Sequence, residues 1–178
     1  MIKYMAFLRG INVGGKNLIK MERLKSLFES VGFENVKTYI QSGNVIFEPT
    51  ENSKEKIIKR IEKELNKYFG ESVLVFLRTF AEIEAIVKYN PFAKIKIAHS
   101  TKLYVSFIGN EFNKKPKLPL VSAKKDVEVI AIKNCEVYCI TVEINGRFGF
   151  PNNFVEDYFG VASTSRNWNT ITKIVSAF

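Results

Sequence analysis

The sequence holds a single histidine, His99, two aspartates, Asp126 and Asp157, and two cysteines, Cys135 and Cys139. Each scarcity removes a class of chemistry. One histidine, set in the loop-like stretch KIAHST, leaves no Ser-His-Asp or Cys-His arrangement to assemble. The cysteines stand four apart in one strand-like segment with no second pair. That is neither a disulfide framework nor a zinc site, it predicts no metal centre, and it suits a reducing interior. Glu156 and Asp157 are adjacent, so a helix points them to different sides and they do not form a catalytic carboxylate pair. No run of about 18 apolar residues exists, which predicts no membrane span. The opening MIKYMAFLRG is apolar only briefly before a glycine loop and does not read as a signal peptide. The expected location is therefore cytoplasmic.

What is present is an apolar, aromatic-rich and basic chain. Hydrophobic residues make up 46% of the 178, with fifteen Phe and seven Tyr, enough to bury a sizeable core in one compact domain or two small ones. The net charge is +9, from 27 basic and 18 acidic side chains. Such a surface attracts polyanions, whether nucleic acid or phosphorylated metabolites, and equally serves plain solubility.

Periodicity predicts an α+β fold. Ile2 to Leu8 reads as a strand, and residues 20–31 as a helix stopped by Gly32. Asn35 to Gln41 and Asn44 to Glu48 read as strands around a tight turn at Ser42-Gly43. A capping box at Asn52 and Glu55 opens a helix to Phe69, with Ile57, Ile61, Leu65 and Tyr68 as its apolar stripe. Ser72 to Arg78 is a further strand. The order β-α-β-β-α-β is that of a ferredoxin-like half over residues 1–78. Residues 79–178 are expected to pack against it as a second, smaller α+β half. That half has a short helix ending before Asn90-Pro91, a strand over 102–108, a loop over 113–119 and strands over 127–132 and 136–143 turning at Lys133-Asn134. A helix capped by Asn152 or Asn153 and a C-terminal helix complete it.

The stretch RGINVGGKN, residues 9–17, is one residue short of the phosphate-binding pattern G-x-x-x-x-G-K-[ST]. A working loop of that kind needs a hydroxyl after the lysine, a strand-terminal aspartate for magnesium and a parallel sheet. Asn17 supplies no hydroxyl, neither aspartate is suitably placed, and the pattern is ferredoxin-like, so a magnesium-dependent NTPase is not expected. A weaker claim survives, because glycines between a strand and a helix N-terminus, flanked by cations, can hold an anion. In a ferredoxin-like half this loop and the turn IQSGN share one edge. Arg9, Asn12, Gly14, Gly15, Lys16, Gln41, Ser42 and Asn44 then form a candidate ligand site. The competing reading is that the asparagines and glycines only tie the two turns together.

A third polar segment, TSRNWNT, surrounds the only tryptophan. It reads either as a helix start with Trp168 buried against the other half, or as Arg166 and Asn167 completing the site. FLRGINVGGKN, TYIQSGNVIF and TSRNWNTITKI together resemble the signature segments of the bacterial domain of unknown function 1697 family. The likeness runs from the N-terminus to the last helix and is strongest in the first 50 residues. It implies an α+β protein with a ferredoxin-like N-terminal half, and it implies no activity and no cofactor. Three functions remain open: a small phosphate-bearing ligand bound at the RGINVGGKN/IQSGN edge, nucleic acid bound weakly by the basic surface, or a non-catalytic interaction domain. An RRM-like mode would place Tyr4 and Phe47 on an open sheet face. The strand NVIFE lacks the RRM signature, and these rings are expected to pack beneath the second half instead.

Overall fold

Short apolar strands alternate with helices whose apolar residues recur every three to four positions, and among the described residues two antiparallel sheets with five helices result. The structure, a computed structural model, describes residues 1–109, 114 and 116–178, so the loop expected over 113–119 lies partly outside the described residues. The chain divides into two units, Met1–Glu84 and Ala85–Phe178.

The first unit runs β1 (Tyr4–Leu8), α1 (Met21–Ser30), β2 (Glu34–Tyr39), β3 (Asn44–Glu48), α2 (Lys54–Phe69) and β4 (Val75–Thr79). Helix α3 (Phe80–Tyr89) continues across the division. The strands form an antiparallel sheet in the order β2-β3-β1-β4. Strand period two turns Tyr4, Ala6, Leu8, Val45 and Phe47 toward one face. There they share a buried core with Leu24 and Phe28 of α1 and Ile57, Ile61 and Leu65 of α2. This corrects the expectation for the two aromatics. Phe47 stacks on Phe33 at 4.6 Å and meets Phe28 edge-on at 5.2 Å. Tyr4 lies 6.2 Å from Phe47. Both rings therefore face their own unit's helices and offer no base-stacking platform.

Local signals set the helix ends. Gly32 and Gly70 take φ of +79° and +73° just past α1 and at the end of α2, where a Cβ would be disfavoured. The cap of α2 is Ser53, one residue later than expected, with its hydroxyl accepting from the Lys56 N–H. A capping box the spacing Thr79-x-x-Glu82 encodes starts α3. Thr79 Oγ1 accepts from the Glu82 N–H at 3.2 Å, and Glu82 Oε2 accepts from the Thr79 N–H at 2.6 Å.

The second unit contains β5 (Thr101–Ile108), β6 (Leu120–Val121), β7 (Val127–Lys133), β8 (Glu136–Ile144), β9 (Arg147–Phe148), α4 (Pro151–Phe159), β10 (Ser163–Asn167) and α5 (Trp168–Ala177). Its sheet order is β10-β5-β8-β7-β6, with β9 paired to β8. Val129, Val137 and Cys139 pack with Val155 and Phe159 of α4. The β7–β8 turn is Asn134-Cys135, one residue beyond the expected pair. Helix α4 starts at Pro151 and has no side-chain cap, so neither Asn152 nor Asn153 plays that part. Proline tolerates the first helical position because its missing N–H would be unbonded there anyway.

Ser163–Asn167 is a strand, which the sequence did not predict, and it leads directly into α5 through its last residue, Asn167. It has no apolar alternation, and it is held by pairing with β5 and by the buried Ser106 Oγ···Ser165 Oγ bond of 2.6 Å. Trp168 is buried against Phe92, 5.1 Å away and in the same unit.

Candidate functional site

The loop after β1 is a folded turn with a fixed shape. Gly14 and Gly15 both have positive φ, +58° and +76°. Val13 bridges Lys16, whose N–H donates to the Val13 carbonyl at 3.0 Å. Two consecutive left-handed residues make the type I′ geometry that glycine accommodates best. The loop is pinned from below by Ile11 and Ile19, both buried in the core. Lys16 and Asn17 therefore sit at the foot of a miniature hairpin, and α1 begins only at Met21. In a phosphate-binding loop the lysine opens the helix itself; here it does not, and its side chain is exposed.

The loop and the turn IQSGN do meet. Asn12 Nδ2 donates to the carbonyls of Ile19 and Gln41, both at 3.0 Å, and its Oδ1 accepts from the Ile19 N–H at 2.8 Å. The Leu8 N–H donates to the Gly43 carbonyl at 2.8 Å. Gly43 has φ of +69°, and a Cβ there would stand 3.0 Å from the Leu8 Cβ and 3.1 Å from the Ile11 Cβ. Asn44 is buried, with Nδ2 donating to the Tyr39 carbonyl at 3.1 Å and to Ser42 Oγ at 2.7 Å. The amides of Asn12 and Asn44 thus hold the two turns in place. The half-buried Arg9 donates its backbone N–H to the Leu74 carbonyl at 3.0 Å.

Beside this joint lies a groove of about 410 Å³ lined by Asn12, Leu18, Ile19, Lys20, Arg23, Gln41 and Tyr68. Asn12 and Gln41 come from the predicted set. Lys20, Arg23 and Tyr68 do not. Tyr68 was expected in the buried stripe of α2, yet it is 40% exposed, and the Arg23 guanidinium stacks over its ring at 5.4 Å. The position of Tyr68 in the last turn of α2, two residues before Gly70, was the available signal, since a stripe residue at a helix end is free to tilt outward. Lys20 is the N-cap of α1 and makes no side-chain cap bond. The first N–H groups of α1 open at this end with the positive pole of the helix.

Arg166 and Asn167 belong to the second unit. The Arg166 side chain is buried, with Nη1 donating to Thr164 Oγ1 at 2.8 Å and to the Ser165 carbonyl at 2.9 Å. Burial lowers its pKa to about 10, which still leaves it a cation at neutral pH. Asn167 caps α5, its Oδ1 accepting from the Asn169 N–H at 2.9 Å. Both have structural duties within their own unit. Among the described residues no group of three or more His, Cys, Asp or Glu side chains gathers to hold a metal ion, and no helix is long and apolar enough to cross a membrane.

Comparison with known proteins agrees with this fold. The sequence model of the family described as "Protein of unknown function (DUF1697)" matches residues 1–138, and the chain belongs to that family. A solved structure, that of the conserved bacterial protein SP0830 from Streptococcus pneumoniae, is similar at a TM-score of 0.71 and 20% identity, over 98% of this chain and 97% of that one. At that identity the likeness establishes the fold alone. A comparison with curated proteins finds no match.

Proposed function

We propose that this member of the DUF1697 family binds a small anionic ligand, of the phosphate-bearing kind, in the groove at the mouth of α1. One observation carries the reading: Arg23 and Lys20 line a concavity into which an uncapped helix N-terminus opens. Positive helix pole, guanidinium and ammonium act in the same sense on an anion. Leu18, Ile19 and the Tyr68 ring supply apolar walls, which suits a ligand with an apolar or aromatic body beside its charged group. In this reading Asn12, Gln41, Ser42, Asn44 and the glycines shape the site, while Arg23 and Lys20 take the contact role first assigned to Arg9 and Lys16. The N-terminal unit is read as ferredoxin-like, supported by its strand order β2-β3-β1-β4 and its two helices on one face.

A thermal-shift screen at low salt tests this, with inorganic phosphate, nucleotides and phosphorylated sugars as probes. A ligand at about 100 times its dissociation constant adds about 2.7 kcal/mol, or about 2–4 °C in Tm per kcal/mol for a chain of this size. The expected result is a rise with at least one probe that Arg23→Ala abolishes and Lys16→Ala leaves largely intact. A rise lost in Lys16→Ala and kept in Arg23→Ala would move the site to the hairpin. No rise with any probe would sink the reading.

A further inference from the structure

The positive charge is unevenly shared. The first unit carries 14 basic and 11 acidic residues, net +3, and the second carries 13 and 7, net +6. In the second unit the β8–β9 hairpin turns at Asn145-Gly146, both with positive φ, and sends the chain back through Arg147 and Phe148. A concavity of about 670 Å³ lies there, lined by Lys124, Asp126, Ile144, Asn145, Arg147 and Phe148. Its aromatic neighbours are not core residues. Phe150 is 55% exposed and meets Tyr104 edge-on at 6.0 Å, and the Lys102 ammonium sits 3.7 Å above the Phe148 ring. Lys102, Lys124 and Arg147 are themselves exposed. Gly149 lets the segment lie flat, because a Cβ there would stand 2.5 Å from the Asp126 carbonyl oxygen.

We propose that this hairpin face binds single-stranded nucleic acid. Exposed cations from three separate segments, Lys102, Lys124 and Arg147, lie beside the half-buried Phe148 ring or the exposed Phe150 ring, and cations beside rings are the chemistry that tracks a phosphate backbone while stacking unpaired bases. Lys124 and Arg147 meet phosphates, and the Phe150 ring accepts a base. A duplex offers no free base face to that ring. The local carboxylates, Asp126 and the exposed Glu143, are outnumbered by the exposed Lys102, Lys124, Lys125 and Arg147. The face is distinct from the α1 groove and stands or falls independently of it.

The test is fluorescence anisotropy of the full chain with labelled oligo-dT and oligo-U of about 12 nucleotides, within the span one such module occupies, at about 50 mM and about 200 mM salt. Binding is expected at low salt and should weaken steeply at high salt. Arg147→Glu and Phe150→Ala should each weaken it about tenfold or more, and Phe150→Tyr should restore it. Lys63→Glu, on the exposed side of α2, serves as the charge-matched control and should lose far less. Circular dichroism melts of each variant separate unfolding from lost binding; if Phe150→Ala unfolds, Lys124→Glu with Arg147→Glu carries the test. Equal losses in Lys63→Glu and Arg147→Glu, no effect of Phe150, or no binding at low salt would overturn the proposal.

Discussion

Asn12 and Gln41, 29 residues apart, are joined by a 3.0 Å bond from the Asn12 side-chain amide to the Gln41 carbonyl. The same side chain brackets Ile19 through both its N–H and its carbonyl. Asn12 therefore fixes the loop to the turn and to the entry of α1, and it does so from a left-handed backbone with φ of +54°. Asn12→Ala should cost about 2–4 kcal/mol, with about 1 kcal/mol per lost hydrogen bond and a further penalty because alanine lacks the side-chain amide that lets asparagine adopt the left-handed conformation. Asn12→Gly should be about 1 kcal/mol milder, because glycine removes the penalty while losing the same bonds. Urea denaturation of the three proteins measures both differences, and equal losses would mean that the backbone conformation costs nothing.

Gly43 carries a double requirement. Its φ is positive, and its missing Cβ leaves room for Leu8 and Ile11 at 3.0–3.2 Å. Gly43→Ala is expected to cost about 2–4 kcal/mol, combining a left-handed penalty with overpacking. Gly14→Ala, with positive φ but nothing within 4 Å of a Cβ, should lose only about 1–2 kcal/mol. Comparing the two melting curves isolates the packing part.

Glu82 gives the chain an acid-sensitive contact. Burial disfavours its charge, but this is outweighed by the Lys54 ammonium at 2.8 Å and the Thr79 N–H, and its pKa is lowered from 4.5. The sign follows from linkage: a carboxyl held lower in the folded state stabilises above its unfolded pKa, and that contribution fades as pH falls through the folded value. Glu82→Gln should therefore flatten the loss of stability below about pH 5, while lowering Tm at neutral pH. Chemical denaturation at neutral and acidic pH checks it. An unchanged acid limb in Glu82→Gln would count against the contact.

Cys139 should be chemically silent. It is fully buried, and burial pushes its thiol up to about 12. A thiol attacks electrophiles as the thiolate, so at pH 8 iodoacetamide should leave Cys139 unmodified in the native protein. Mass spectrometry should find at most the Cys135 adduct until denaturant is added, when both react. Modification of Cys139 under native conditions would indicate that β8 opens locally.

The amino-acid sequence by itself determined the local elements of the first unit. Its apolar periodicities give α1 and α2, its glycines give their ends, and Ser42-Gly43 gives the β2–β3 turn. The meeting of RGINVGGKN with IQSGN was also legible, because the order of strands and helices alone places those two ends at one edge. The strand β10 was not legible. STSRN has no apolar alternation, and its burial depends on partners 59 positions away, Ser106 against Ser165. The charged residues of the candidate groove were hidden for the same reason. Arg23 and Tyr68 each look like ordinary helix-surface and helix-stripe residues, and only the packing of α1 beside α2 puts the guanidinium over the ring. Local pattern fixes what a residue's own helix or strand demands of it. Which side chains share a cavity depends on contacts distant in sequence, and those exist only once the tertiary structure has formed.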